Sequence, residues 1–319
     1  MASVVSSPPR ARSVALAGCA VVLVGVAALL IVRFTGLDAG TVLALAVVGL
    51  PYALVATVVI GVVVAVAKAR WLTVFAVALV VVQVVSLAPR FVADGAEVPA
   101  GNARLRVATI NSHVGRVDPK ALVELVRKLD LDVLAVEELP PEAIPALDAA
   151  GLKELLPFRE LQPKQDSSLY SRLPFTSSGL LDAPTTWRQT TGEVVLEGRA
   201  IRLVAVHTYY PAGDAGLWTQ DLKALRSVAH PNVVVLGDFN ATLDHSPMRD
   251  LLAAGLVDAH AELGHGWAPT WPADALPVVQ LDHVLHGNGL AATKTSEHAL
   301  PGSDHRLVFA ELALVQSAV

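Results

Sequence analysis

Several short apolar segments of the chain are bounded by side chains that suit phosphate or metal chemistry. The sharpest is Val233-Val234-Val235-Leu236-Gly237-Asp238-Phe239-Asn240. A carboxylate and a carboxamide two residues apart share one face just beyond the end of an extended strand. An acid placed there can hold a nucleophilic water, and an amide can donate to a phosphoryl oxygen. Ser303-Asp304-His305 precedes the final apolar segment, and Leu281-Asp282-His283-Val284-Leu285 opens another with an acid. His305 is a general-base candidate because an imidazole titrates near working pH. Asp282 could fix its tautomer, as the acid of a catalytic triad does. Val133–Val136 runs into Glu137-Glu138, whose carboxylate oxygens suit a hard cation such as Mg²⁺. Asn111 and His207 stand at the ends of two further apolar segments. Taken singly, each has an ordinary reading as a turn, a helix cap or a solvated strand end. Their joint occurrence at successive strand ends is what points to a site.

The elements that must position these groups are legible in part. Strands are expected at Leu105–Asn111, Asp132–Val136, Ser168–Ser171, Glu193–Leu196, Ile201–Val206, Asn232–Leu236, Leu281–Leu285 and Arg306–Leu312. Helices are expected after the Asp118-Pro119 start signal, over Pro140–Ala150, over Trp218–Val228 and over Met248–Ala254. Helices toward both ends with many strands between suit sheets packed face to face under outer helices.

The chain is two objects. Its 319 residues have a mean hydropathy of +0.53 and are only 17% charged, below the usual soluble quarter. Residues 1–90 hold six basic residues and one acid, a net +5. The whole chain carries −5, so residues 91–319 carry −10, and all ten histidines lie there. Apolar stretches at about 13–32, 41–67 and 71–89 are each expected to cross a bilayer, whose core needs about 20 apolar residues. The organisation expected is a three-helix membrane anchor over 1–90, a linker over 91–103 and a catalytic domain over 104–319. Arg10, Arg12, Lys68 and Arg70 fall on one side of the three spans, Arg33 and Arg90 on the other. The excess of basic residues faces the cytoplasm, which places the N-terminus inside and the catalytic domain outside the cell membrane. Leu16-Ala17-Gly18-Cys19 looks like a lipoprotein cleavage box, but the apolar run lies mostly after it rather than before. The lone cysteine, Cys19, excludes an internal disulfide.

In their order along the chain, Asn111, Glu138, His207, Asp238-Phe239-Asn240, Asp282 and Asp304-His305 resemble the motif series of the endonuclease/exonuclease/phosphatase superfamily, over about residues 104–312. The resemblance implies an α/β fold, a DNase I-like four-layer αββα sandwich, with Mg²⁺-dependent phosphoester hydrolysis and Mn²⁺ as the alternative ion. Carried over by motif, Glu138 is the principal metal ligand with Asn111 beside it, and Asp304 a second ligand. His305 is the general base or phosphate-binding imidazole, oriented by Asp282. Asp238 and Asn240 position water and phosphate, and His207 contacts the phosphoryl oxygens. The usual Gln-Glu pair is Glu137-Glu138 here, which leaves two carboxylates for one ligand position. Leu236–Pro247 more narrowly resembles actinobacterial membrane-anchored members linked to teicoplanin resistance. For that group the implied substrate is an undecaprenyl pyrophosphate-type lipid carrier.

Three functions follow: a membrane-anchored phosphoesterase acting on a lipid-linked phosphate or pyrophosphate, a surface endonuclease or exonuclease, and a non-enzymatic membrane-tethered binding module. Every motif position holds a chemically competent side chain, which disfavours the third. Net charge disfavours nucleic acid, since a domain at −10 repels a polyanion. The partners expected are the lipid bilayer and a lipid-linked phosphate; the sequence carries no signal for an oligomeric state.

Overall fold

In the computed structural model, which describes residues 9–94, 98–99 and 101–315, twelve strands form two six-stranded mixed sheets. The first sheet contains β1 (Arg104–Asn111), β2 (Val133–Glu137), β3 (Phe158–Gln162), β4 (Ser167–Ser171), β11 (Leu290–Ala299) and β12 (Arg306–Leu314), in the order β11-β12-β1-β2-β4-β3. The second contains β5 (Phe175–Leu180), β6 (Thr190–Leu196), β7 (Arg199–His207), β8 (Val233–Asp238), β9 (Leu256–Asp258) and β10 (Asp282–Gly287), in the order β5-β6-β7-β8-β10-β9. One central pair in each sheet is parallel, β1 with β2 and β7 with β8.

Alternation along the strands builds three apolar layers. Val133 and Ala135 of β2 join Leu203, Leu236 and Val284 between the sheets. Their neighbours Leu134 and Val136 turn outward onto Leu122 and Val126 of the helix Pro119–Leu129. Asp118 caps that helix by accepting a 2.8 Å bond from the Ala121 amide. Val204, Val206 and Val235 turn outward from the second sheet onto Trp218 and Leu222 of the helix Pro211–Leu225. The result is helix on sheet on sheet on helix, the layering expected.

Two strands, β9 and β11, escape the sequence reading, and β3 and β5 fall in the stretch 155–206, which reads as short strands broken by turns without marking their bounds. β11 reads Leu-Ala-Ala-Thr-Lys-Thr-Ser-Glu-His-Ala, an edge strand whose polar second half gives no apolar alternation.

The apolar N-terminal part departs from expectation. The helix Pro9–Thr35 is continuous, and so is Arg70–Leu87. The expected middle span, 41–67, is broken into a short helix at Ala44–Val47 and a 17-residue helix at Leu50–Val66. Pro51 starts the second helix, because a proline fits the first turn and not the interior. Two segments, Arg10–Thr35 and Arg70–Phe91, are long and apolar enough to cross a membrane; Leu50–Val66 is apolar but shorter. Of the expected linker 91–103, residues 95–97 and 100 lie outside the described residues, as do 1–8 of the expected anchor and 316–319 of the expected catalytic domain.

The loop preceding Leu50 packs on the sandwich instead of continuing a helix. Ala44 is buried in the same apolar layer as Trp218 and Phe239. His245 Nε2 donates to the Ala44 carbonyl at 2.9 Å, the Gly40 amide donates to Thr219 Oγ1 at 2.8 Å, and the Ser246 amide donates to Asp38 Oδ2 at 2.7 Å. Arg33 and Arg90, at the ends of two apolar helices, both pair with the buried carboxylate of Asp244, at 3.2 and 3.1 Å.

Candidate active site

Register places the chemistry-bearing residues at one rim of the sandwich. Asn111 stands opposite Glu137 across the parallel β1–β2 ladder, His207 opposite Asp238 across β7–β8, and Asp282 opposite Asp238 across β8–β10. Gly237 makes that close approach feasible: a Cβ there would lie 1.9 Å from the Val206 carbonyl oxygen. The loop before β12 is tied in by Ser303, whose hydroxyl donates to the Asn111 carbonyl at 2.7 Å and accepts from the His305 amide at 3.0 Å.

Two imidazoles face one carboxylate. His207 Nε2 lies 3.9 Å and His305 Nε2 3.8 Å from Asp238 Oδ2. Behind each imidazole stands an acid. Asp282 Oδ2 meets His305 Nδ1 at 2.9 Å, and Asp166 Oδ2 meets His207 Nδ1 at 2.9 Å. Burial disfavours charge on both rings, but the surrounding carboxylates outweigh it. Asp282, Asp238 and Asp304 lift His305 to about 10. Asp166, Asp238 and Glu138 lift His207 to about 9. Asp238 itself is raised, first by burial and then by Asp282, while the two imidazoles hold it back.

The two consecutive glutamates divide. Glu137 is fully buried, and both its oxygens accept from the Thr109 hydroxyl, at 2.8 and 3.0 Å. Burial pushes its pKa well above the usual carboxylate range. Glu138 takes a left-handed backbone, φ 51°, which breaks the strand alternation. Its carboxylate accepts from Asn111 Nδ2 at 3.1 Å and from the Val114 amide at 3.0 Å. Asn111 Nδ2 also donates to Asp238 Oδ2 at 3.2 Å.

Seven of the eight expected residues therefore meet at the rim: Asn111, Glu138, His207, Asp238, Asn240, Asp282 and His305. The Asn240 amide nitrogens belong to the floor of the site, the backbone one donating to Asp238 Oδ1 at 2.8 Å and the side-chain one to the Thr208 carbonyl at 3.2 Å. Asp304 sits at the margin, its carboxylate 3.4 Å from His113 Nδ1 and 3.4 Å from Trp271 Nε1. Sequence reasoning missed Asp166. It directly precedes β4, the same acid-before-strand signal that singled out Asp282, but it sits in a polar turn after Gln165.

A sequence model of the Endonuclease/Exonuclease/phosphatase family matches residues 108–305, which take in all these groups. The chain belongs to that family. Its folds agree: D. rerio TDP2 complexed with single-strand DNA product is similar with a TM-score of 0.54 at 17% identity, over 66% of this chain and 98% of that one. An endonuclease/exonuclease/phosphatase from Beutenbergia cavernae has a TM-score of 0.53 at 18% identity, over 68% and 73% of the two chains. A family protein from Bacteroides thetaiotaomicron has a TM-score of 0.53 at 13% identity, over 67% and 99%. These likenesses cover the sandwich and concern the fold. No match was found among curated proteins.

Family members are hydrolases that use divalent metal ions on phosphoester bonds, and the residues at this rim fit such an ion. One ligand atom from each of Asp238, Asp282 and His305 lies within 4.8 Å of the others. Asp282 Oδ1 is buried without a hydrogen-bond partner among the described residues, a cost that a cation would relieve. The Asn111 amide donates to both Glu138 and Asp238, which holds those two carboxylates on either side of it.

Proposed function

We propose that this chain is a membrane-anchored phosphoesterase that hydrolyses a lipid-linked phosphate or pyrophosphate, of the undecaprenyl pyrophosphate type, at the outer face of the membrane. The observation that carries the hydrolytic part is the pair of imidazoles flanking Asp238, each backed by its own acid.

With both rings raised far above neutrality, His207 and His305 are cations at pH 7 in the metal-free site. They bind the phosphoryl oxygens, and the negative charge that grows there in the transition state strengthens both contacts. Asp238 is the acceptor between them, placed to take the proton of the attacking water. Asp282 and Asp166 keep the two rings oriented with Nε2 toward the phosphate. Glu138 and Asn111 would hold Mg²⁺ or Mn²⁺, with Asp304 at the margin as a second ligand; a bound ion supplies Lewis-acid neutralisation of phosphoryl charge.

The membrane part rests on burial and charge. A core helix of a soluble protein is mostly covered, but the apolar windows of the two long helices are only 17% and 22% buried. With Leu50–Val66 as a short third span, the anchor is multi-pass. Arg12 donates to the Ala67 carbonyl at 2.7 Å, which gathers Arg10, Arg12, Lys68 and Arg70 at one end of the bundle. Arg33 and Arg90, at the other end, share the single carboxylate of Asp244. The excess of basic charge therefore lies at the end that carries the N-terminus, four residues against two that share an acid, which favours a cytoplasmic N-terminus and an external catalytic domain. The acidic balance of residues 91–319 weighs against a nuclease.

The test is phosphate release from a polyprenyl pyrophosphate by the full chain in detergent, compared with nicking of plasmid DNA. Mg²⁺-dependent release, lost in His305→Ala, supports the proposal. Nicking without release would replace it by the nuclease.

A further inference from the structure

A cavity of about 390 Å³ opens directly off the catalytic rim, and its walls are of two kinds. One end is polar, made by His305 and Asn240. The rest is apolar, with Trp271, Val279 and Leu281 from the sandwich and Leu45 and Val48 from the loop between the apolar helices. Its other polar groups are few. His245 has its two ring nitrogens committed to Ala44 and Thr242, and the Tyr210 ring is stacked on Tyr209 with centroids 4.9 Å apart. A sugar or a nucleotide would find little to bond there.

Shared residues link this wall to the helices. Val48 and Val279 are shared with a neighbouring cavity of only about 30 Å³, whose lining includes Thr242, Gln280 and the Arg90–Asp244 ion pair, and which in turn shares Pro51, Arg90 and Trp267 with a third cavity of about 460 Å³. That third cavity lies against Tyr52 and Val55 of one apolar helix and Val84 and Leu87 of the next. The loop wall is held in place by the bonds to Thr219, His245 and Ser246 already described.

We infer that this cavity receives the hydrocarbon chain of a membrane-resident phosphate or pyrophosphate lipid, so that the anchor loop is itself a wall of the substrate site. The inference rests on the phosphoesterase reading and adds to it the way in which substrate is selected. The phosphate lies at His305 and Asn240, and the chain lies along Val279, Val48 and Leu45 on the side that faces the helices. The occupant follows from the walls: a polar end at the imidazoles and an apolar remainder fit an amphiphile whose head is a phosphate. Continuity with the uncovered helices fits a ligand that arrives from the bilayer.

The experiment uses the full chain in nanodiscs and alkyl phosphonates from ethyl to octyl, with affinities measured by titration calorimetry after subtraction of partitioning into empty discs. In the natural chain, affinity should rise about fourfold per methylene, as full burial of a hydrocarbon chain requires. Val48→Asp should shrink the octyl-to-ethyl ratio at least tenfold. Leu45→Gln, at a half-exposed position that bears no load in the core, should shrink it in the same direction if Val48→Asp does not fold. A ratio near one in the natural chain, or an unchanged ratio in the folded variants, would overturn the groove while leaving the phosphate site standing. Failure of every phosphonate to bind, ethyl included, would overturn the groove and the phosphoesterase reading beneath it together.

Discussion

Arg33 and Asp244 are 211 residues apart in sequence and form a buried ion pair 3.2 Å long. Asp244 lies four residues after Asn240, so the segment that carries catalytic groups also grips the ends of the apolar helices. Removing one partner of a buried pair leaves the other charge uncompensated, at a cost of about 3 kcal/mol or more. Asp244→Asn strands Arg33 and Arg90 together. It is expected to lower the unfolding free energy of the full chain by about that amount, read as a lower midpoint in chemical denaturation. An unchanged midpoint would mean that the anchor and the sandwich are held together elsewhere.

His305 and Asp282 should behave as one unit. His305→Ala is expected to lower kcat by at least about 10²-fold, the usual loss when one preorganised donor to developing charge is removed. Asp282→Asn should lower it as well, and the double variant should be scarcely worse than His305→Ala, because groups acting together are strongly non-additive. Multiplicative losses would separate the two roles.

Glu138 and Glu137 are neighbours with different surroundings, and metal titration tells them apart. Glu138→Gln should raise the Mg²⁺ concentration for half-maximal activity by at least about tenfold, the loss that removing even an outer partner of a metal ligand causes. Glu137→Gln, below the site against Thr109, should affect the unfolding midpoint more than the Mg²⁺ requirement. The opposite order would exchange the two assignments.

The raised imidazoles carry a pH signature in the metal-free protein. A histidine whose folded pKa exceeds its unfolded value near 6.5 stabilises the fold fully below that value. That contribution is lost as pH rises through about 9 for His207 and about 10 for His305. Denaturation midpoints measured in chelator should therefore decline between about pH 7 and pH 10. Asp166→Asn should remove part of the decline, with the His207 ring resonance titrating at lower pH by NMR. A flat profile would mean that neither ring is charged.

His283 lies on β10 next to Asp282 but faces away from the site. Its ring is fully buried, Nδ1 meeting Asp258 Oδ2 at 2.8 Å and Nε2 donating to the Ala241 carbonyl at 2.9 Å. His283→Ala would leave Asp258 unpaired in the core, and a loss of about 3 kcal/mol of stability is expected. Catalysis per folded molecule should change far less than in His305→Ala, which a comparison of folded fraction with initial rate will check.

Much of the sandwich and its rim could be read from the chain because apolar strands that end in polar groups are local signals. Val233–Asp238 and Val133–Glu137 show both the strand and the group it presents. Asp166 was hidden because what matters is its partner His207, 41 residues away, and a turn aspartate has many ordinary uses. The middle apolar stretch is legible only in part, for a related reason. Composition alone does not distinguish an apolar residue that faces lipid from Ala44, which is buried against Trp218 of a domain not yet encountered in the sequence.

The docking of the 36–47 loop has a consequence in time. Ala44 and the imidazole that holds its carbonyl are 201 residues apart. At roughly 5–20 residues per second, a ribosome needs about 10–40 s to travel that distance. For most of that interval both long apolar helices have been synthesised while the socket between them and the sandwich does not yet exist. The carbonyl of Ala44 and the guanidinium of Arg33 must wait for His245 and Asp244, so the last-made third of the chain completes the first.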